Sequence, residues 1–272
     1  MERPPDFGAF SHVDDADAAA LGGYLDAVGS EDAVARWKAL SFDLLEAGPG
    51  AVVVDVGCGL GDDVRALALR TAPAGRAIGV DMSESMIAEA RRRSEGATGP
   101  AGEFHVADAA SLPLGDAVAD GCRCERLLQH VEEPAAVVRE MARVIRPGGI
   151  VLAAEPDWGT LVVDGGDPEL ESALGAVAMA RVRSPAVGRS LRRLLSEAGL
   201  VEVEVLARTL VLTDLPRAEM LLGIDALVER AVADGVVPPA RAEAWRAGLQ
   251  ATAAAGRLTA AVTSFLALGR AG

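Results

Sequence analysis

The stretch that decides the fold is a run of β-branched residues closed by glycines, Val52-Val53-Val54-Asp55-Val56-Gly57-Cys58-Gly59-Leu60-Gly61. Successive valines are typical of a strand buried on both faces, and the residues after this stretch have helical periodicity. A glycine-rich turn between a strand and a helix lets the backbone bend sharply and approach a ligand without a Cβ in the way. The stretch therefore predicts an α/β fold with a ligand site at this turn.

The same alternation of short β-branched runs and longer helical stretches continues on both sides of this turn. Alternation of this kind predicts parallel strands joined by crossover helices that cover both faces of the sheet. We therefore expect a Rossmann-like, mostly parallel sheet of seven strands. The predicted strands are 51–56, 77–80, 104–106, 119–124, 150–154, 201–212 and 260–268.

The helical stretches outside this core predict two additional pieces. Residues 1–50 read as an N-terminal helical lid, and residues 51–272 as the α/β domain. Within that domain a polar loop after Glu155 leads to helices at 169–183 and 188–198. Residues 214–258 separate the last two strands and read as a helical cap inserted over the ligand-binding edge of the sheet.

Composition excludes several classes of protein. The 272 residues include 26 basic and 40 acidic ones, a net charge of −14, so polyanionic partners and anionic membrane surfaces are repelled. No secretory signal is apparent, and no apolar run reaches the about 18 residues that span a bilayer. The three cysteines do not have the spacing of a metal site. These features predict a cytoplasmic protein that binds neither nucleic acid, membrane nor metal.

Three acidic positions indicate the chemistry of the ligand. Asp81 ends the second predicted strand, where a carboxylate can accept hydrogen bonds from both hydroxyls of a ribose. Asp62 and Asp63 begin the helix after the glycines, where a phosphate would need positive potential. Asp55 precedes the glycines and suits an ammonium group. A ligand with a ribose and an amine but no phosphate is S-adenosylmethionine rather than a nicotinamide or flavin dinucleotide.

Further motifs extend the pattern through about residue 155. In addition to 52–63 they are Asp81-Met82-Ser83 with Met86, Ala107-Asp108-Ala109 before Leu112-Pro113, Leu128-Gln129-His130-Val131 ahead of Pro134, and Arg146-Pro147-Gly148-Gly149. Together they resemble class I S-adenosylmethionine-dependent methyltransferases of the type found in ubiquinone and menaquinone biosynthesis. Beyond residue 155 the resemblance is only a general pattern of helices and two last strands.

The resemblance implies a set of cofactor-binding residues. Those expected around the methionine end are Asp55, Gly57, Cys58, Gly59 and Glu125. Asp81 would hold the ribose hydroxyls, with Met82 packed on the adenine. Asp108 would accept a hydrogen bond from the adenine amino group, and Ala109 would donate one from its backbone.

The candidate residues on the substrate side follow the fourth and fifth strands. His130 is either a general base for a phenol or activated enol, or a histidine that fixes its loop. Gln129 borders either the methionine end or the substrate. Glu155 and Asp157 either bind a substrate amine or hydroxyl or solvate a loop. Trp158 is either a substrate wall or a loop anchor, and Tyr24 either closes over the cavity or packs between helices.

The expected reaction is methyl transfer from S-adenosylmethionine to a small, partly apolar acceptor, either phenolic, quinone-like or a secondary metabolite. The acceptor atom is oxygen, carbon or nitrogen, and the resemblance favours oxygen and carbon nearly equally. One alternative keeps the fold and catalyses a cyclisation or rearrangement, with S-adenosylmethionine in a non-transfer role. Another is a cofactor-binding module without catalysis. The sequence leaves open whether the protein is a monomer or a homodimer.

Overall fold

The computed structural model describes residues 14, 18–29, 32–96 and 99–272. In this part of the chain the strands are β1 Val52–Val56, β2 Arg76–Asp81, β3 Glu103–Val106, β4 Ala119–Glu125, β5 Ile145–Val163, β6 Val201–Leu212 and β7 Ala260–Arg270. The helices are α1 Ala18–Gly29, α2 Asp32–Leu44, α3 Asp62–Thr71, α4 Glu84–Glu95, α5 Pro134–Val144, α6 Pro168–Ala180, α7 Val187–Glu197, α8 Leu215–Leu222, α9 Ile224–Ala233 and α10 Pro239–Ala254.

All seven strands form one sheet in the order β3-β2-β1-β4-β5-β7-β6. The pairs among β1 to β5 are parallel, whereas β7 runs antiparallel to both β5 and β6. The sheet is therefore mixed, and the prediction of parallel pairing holds for β1 to β5. Strand order reverses between β1 and β4, so the carboxyl ends of these two strands border the crevice in which open α/β sheets bind ligands.

The fifth strand differs most from the sequence prediction. It was expected over 150–154 with a polar loop after it, but it continues to Val163. Its extension pairs with β7 from Glu155↔Phe265 to Asp157↔Thr263 and, after a register shift, again from Val162↔Ala261. The polar residues in 155–164 predict a loop. The segment is nevertheless a strand, because its backbone forms hydrogen bonds with β7, which is distant in the sequence. The helical stretch expected over 216–257 is likewise broken into α8, α9 and α10.

Local signals explain where several helices begin. Ser83 is the N-cap of α4, since its hydroxyl accepts a hydrogen bond from Met86 N at 3.1 Å. Asp167 and Asp214 cap α6 and α8 in the same way. Gly223 has φ 64°, ends α8 and begins α9, a conformation that glycine adopts without strain. These caps direct α4 and the cap helices over the sheet.

Three buried hydrophobic clusters hold the layers together. One lies between the sheet and α5 and α7, and a second lies on the opposite face against α2, α3 and α4. The third joins α1, α6, α8, α9 and α10 to the ends of β5 and β7, with Trp158 and Trp245 inside it. The division into a lid over 1–50 and a cap over 214–258 stays a prediction, but α6 shares the cluster of the cap helices.

The N-terminal segment is attached to the α/β core by polar contacts. Asp26 on α1 pairs with Arg93 on α4, Nη1 to Oδ1 at 2.7 Å. Asp14 accepts hydrogen bonds from the hydroxyls of Ser83 and Ser85, both at 2.6 Å, and these bonds lower the pKa of Asp14 to about 2. Within the described ranges, no helix combines the length and apolar character of a membrane-spanning segment.

Candidate active site

The glycine-rich turn has the backbone conformation that the sequence required. Gly57, Gly59 and Gly61 have φ of 75°, 49° and 74°, all in the left-handed region. A Cβ added at Gly57 would lie 2.9 Å from Leu127 Cδ1, so a larger residue there would also clash. The backbone N–H groups of Gly57 and Cys58 donate to Val80 O near the carboxyl end of β2, at 2.7 Å and 3.1 Å, and α3 begins directly after the turn.

Asp81 holds this turn in place from the end of β2. Its Oδ2 accepts a hydrogen bond from Gly59 N at 2.9 Å, and its Oδ1 accepts one from Ser83 N at 3.0 Å. Burial raises the pKa of Asp81, and these backbone hydrogen bonds oppose the rise. Each oxygen keeps a lone pair for a further donor, such as a ribose hydroxyl. The next residue, Met82, has 66% of its surface exposed, so its side chain is accessible to a flat apolar group of a ligand.

A large cavity lies above this edge of the sheet. Its volume is about 1140 Å³, above the about 300–1000 Å³ usual for one small ligand. The walls include every predicted cofactor residue: Asp55, Gly57, Cys58, Gly59, Asp81, Met82, Asp108, Ala109 and Glu125. They also include five residues predicted for the substrate side: Tyr24, Gln129, His130, Glu155 and Trp158. The cavity is large enough for two ligands side by side.

Asp108 and Asp157 illustrate two outcomes for predicted carboxylates. Asp108 lines the cavity, and its Oδ1 accepts a hydrogen bond from Ala110 N at 2.8 Å, so an Asx turn and a second free oxygen coexist there. Asp157 does not line the cavity. It is fully buried and pairs with Arg189 on α7, Nη2 to Oδ1 at 2.7 Å. The structure therefore gives Asp157 a partner within the protein and removes it from the candidate site.

A buried network of charges forms the wall next to the glycine-rich turn. Arg123 on β4 has no exposed surface and pairs with Asp55 at 2.8 Å, Asp63 at 2.8 Å and Glu125 at 2.6 Å. Lys38 on α2 pairs with Asp63 at 2.9 Å. Two cations thus face three carboxylates, which leaves one negative charge when all are ionised. That charge fits a ligand bearing an ammonium group.

The sequence predicts that Asp55 contacts the amine of the ligand. It gives no role to Arg123, whose guanidinium forms an ion pair with Asp55 Oδ1. The signal was available, because an arginine between two buried cysteines on a strand requires buried counter-charges. Burial raises the pKa of Asp55 to about 7, and Arg123 opposes that rise. Burial also raises the pKa of Asp63, but the charges of Arg123 and Lys38 outweigh this effect and lower that pKa to about 2. A cationic ligand at this wall would favour the ionised form of Asp55.

Glu155 shapes the loop that follows β4. Its side chain is fully buried, and its Oε1 accepts hydrogen bonds from Leu127 N at 2.8 Å and Leu128 N at 2.6 Å. Burial raises the pKa of Glu155 to about 8, against the effect of these bonds. In the same loop Gln129 Oε1 accepts a hydrogen bond from Trp158 Nε1 at 2.8 Å. These contacts fix the cavity wall between β4 and β5.

His130 lies in this loop and is expected to be neutral. Burial lowers the pKa of His130 to about 4, and the charges of Arg126 and Arg181 add to the effect. We therefore expect no imidazole titration near pH 6.5 and a midpoint near pH 4, measured by proton NMR of the ring C–H signals. The variant H130N identifies the resonance by its loss. A midpoint above pH 6 would contradict this electrostatic description.

Comparison with known proteins identifies the family of the chain. A family profile described as "Methyltransferase domain" matches residues 54–153. The chain is 39% identical over 249 residues to the "37.1 kDa protein in transposon TN4556" of Streptomyces fradiae, which covers 91% of this chain and 70% of that protein. It is 35% identical over 113 residues to "2-phytyl-1,4-naphtoquinone methyltransferase" of Thermosynechococcus vestitus, covering 42% of this chain and 49% of that enzyme. The match thus spans about half the length of this named methyltransferase.

Solved structures share the fold at low sequence identity. YcgJ of Bacillus subtilis superimposes with a TM-score of 0.58 at 19% identity, over 86% of this chain and 97% of its own. The [4+2]-cyclase SpnF superimposes with a TM-score of 0.57 at 20% identity, over 99% of this chain and 98% of its own. The fold, the site and the sequence matches lead to one conclusion. The chain belongs to the family of class I methyltransferases, enzymes whose cofactor is S-adenosylmethionine.

Proposed function

We propose that the chain transfers the methyl group of S-adenosylmethionine to an oxygen or carbon of a small, partly apolar acceptor of phenolic, quinone-like or secondary-metabolite type. The observation that carries the proposal is the one continuous cavity. Its walls combine the glycine-rich turn and its carboxylates with apolar residues of the cap helix α8, Leu221 and Leu222, and of the strands β6 and β7, Leu210 and Val262. A cavity of this composition can hold a polar nucleoside at one end and an apolar molecule at the other.

The proposed cofactor end fits the residues present. Asp81 would hold the ribose hydroxyls, with Met82 against the adenine and Asp108 accepting from its amino group. Asp55 and Glu125, both paired with Arg123, would face the ammonium group. Asp62 and Asp63 place carboxylates at the start of α3, which suits a nucleoside without phosphate. When bound, S-adenosylmethionine supplies an electrophilic methyl group.

The remaining work of the protein is alignment. Methyl transfer gains mainly from holding nucleophile and methyl carbon in line, and a closed cavity also excludes water. Glu155 and Gln129 fix the loop and the indole of Trp158 that form the acceptor's wall. His130, neutral at physiological pH, is suited to accept a hydrogen bond from an acceptor hydroxyl. With a lowered pKa it would be a weak base.

Affinity for S-adenosylhomocysteine tests the cofactor end. We expect D81A to weaken binding by about 30- to 150-fold, since two charge-assisted hydrogen bonds are lost at about 1–1.5 kcal/mol each. Calorimetric titration measures the affinity, and D116N at an exposed carboxylate is the matched control. An unchanged affinity in D81A would remove Asp81 from the site. Lack of any binding by the wild type would contradict the cofactor assignment.

Product analysis tests the transfer itself. The enzyme would be incubated with S-adenosylmethionine and a panel of phenols, hydroquinones and enols, with methylated product and S-adenosylhomocysteine both quantified. We expect them in equal amounts. Turnover of an acceptor that produces no S-adenosylhomocysteine would instead support a cyclisation or rearrangement. The fold shared with the [4+2]-cyclase SpnF is compatible with this alternative.

A further inference from the structure

Arg126 has an unusual backbone at the mouth of the predicted acceptor end. It follows the last residue of β4 and has φ 55°, in the left-handed region that costs a non-glycine residue free energy. Its N–H donates to Ala154 O at 2.9 Å, which fixes this conformation against β5. Strained residues of this kind cluster where a side chain must be aimed at a ligand. The backbone conformation of Arg126 is therefore consistent with a ligand-binding role of its side chain.

The Arg126 side chain is half-buried in the cavity wall and lacks a partner among the described residues. Its Nε is fully buried without an acceptor, and its guanidinium makes no hydrogen bond or ion pair. Leaving a buried donor unsatisfied costs about 1–3 kcal/mol, and more when the donor is charged. The buried Arg123, three residues earlier, differs from Arg126 because it forms ion pairs with three carboxylates. Among the residues that the structure describes, no carboxylate forms an ion pair with Arg126.

A second arginine lies close to Arg126. The charges of Arg126 and Arg181 both lower the pKa of Tyr24 and of His130, so these four groups are near one another. Two carboxylates of the cavity wall pair with other arginines, since Glu125 pairs with Arg123 and Glu132 pairs with Arg183 at 4.0 Å. Glu155 Oε1 accepts hydrogen bonds from backbone N–H groups, and burial raises the pKa of Glu155 to about 8, which favours its neutral form at physiological pH.

We infer that Arg126 binds an oxyanion of the acceptor, so that the acceptor is held as a phenolate, an enolate or a carboxylate next to an apolar wall. The inference rests on the proposed function and narrows its substrate class. An anionic nucleophile would give its proton to solvent before or during binding, because Arg126 stabilises the ionised form. No side-chain base is then required, consistent with a neutral His130.

The test uses para-nitrophenol, whose anion is coloured and whose neutral form is not, in the presence of saturating S-adenosylhomocysteine. In the wild type we expect the phenolate to bind at least tenfold more tightly than the phenol, which lowers the pKa of the bound probe by about one unit. R126Q should abolish this shift, and R126K should retain part of it. R183Q, at an arginine that lines the same cavity but pairs with Glu132, should leave the shift unchanged.

Two further probes identify the kind of anion. Benzoate binding with the same dependence on Arg126 would identify a carboxylate subsite, whereas preference for the phenolate would identify the acceptor oxygen itself. Para-nitroanisole, the neutral methyl ether, should bind weakly. Failure of the phenolate and benzoate to bind, or a shift that survives R126Q, would overturn the inference. Affinity for S-adenosylhomocysteine is measured on each variant, so a failed cofactor site is distinguished from a failed anion subsite.

Discussion

Replacing Arg123 by methionine is expected to destabilise the protein by about 3–5 kcal/mol and to abolish binding of S-adenosylhomocysteine. The guanidinium is completely buried, and its loss leaves Asp55, Asp63 and Glu125 without their shared counter-charge. The free energy of unfolding is measured by urea denaturation at neutral pH. Because the penalty comes from uncompensated carboxylates, part of the lost stability should return as the pH falls and these carboxylates are protonated.

The control for this variant is R143M. Arg143 also pairs with two carboxylates, Glu140 and Asp116, but near the surface, so its removal should cost less than about 1 kcal/mol. A conservative R123K variant keeps the charge but not the three-way geometry and should fall between wild type and R123M. Equal urea midpoints for R123M and R143M would show that the buried network does not support the fold.

The second large effect is expected at Glu155. E155A removes the acceptor for the N–H groups of Leu127 and Leu128, which become buried donors without partners. We expect a loss of about 2–4 kcal/mol together with a displaced loop after β4. E155Q offers a carbonyl oxygen in the same place, so it should keep most of the stability at pH 6. A similar loss in both variants would show that the backbone hydrogen bonds are not the cause.

The pH dependence of stability separates charge from hydrogen bonding at Glu155. The folded state raises the pKa of this carboxyl from about 4.5 to about 8, so the folded protein binds the proton more tightly than the unfolded chain. Stability from this group is therefore full at low pH and is lost as the pH rises from about 5 to about 8. Urea midpoints of the wild type should fall through that window relative to E155Q. E197Q, at an exposed glutamate of α7, serves as the surface control.

The features that could be predicted from the sequence are those written in local patterns. Three positive φ values follow directly from the spacing of Gly57, Gly59 and Gly61, and the cap at Ser83 follows from its place before an amphipathic helix. Asp81 was identified because strand ends meet at one edge of a parallel sheet. In each case the deciding interaction lies within a few residues or is imposed by the parallel topology.

The features that escaped prediction depend on contacts between distant parts of the chain. Asp157 is adjacent in sequence to the candidate wall, but β5 continues through it and carries its side chain to Arg189, 32 residues away. Arg123 meets Asp55 across 68 residues. Periodicity indicates which residues share a face, but not which charged groups on neighbouring elements come together. That Arg126 has no ion-pair partner within the described ranges can be recognised only once the partners of the neighbouring charges are known.

The position of β7 between β5 and β6 has a consequence for the order of synthesis. Both neighbours leave the ribosome before residues 260–270 exist, so each presents an open edge while α8, α9 and α10 are being made. Open edges pair readily with other chains, which makes this interval the time of greatest aggregation hazard. The sheet closes only when β7 inserts and satisfies both edges at once. A chain interrupted before residue 260 therefore keeps the five paired strands β3-β2-β1-β4-β5 and a β6 that has no partner strand in this sheet.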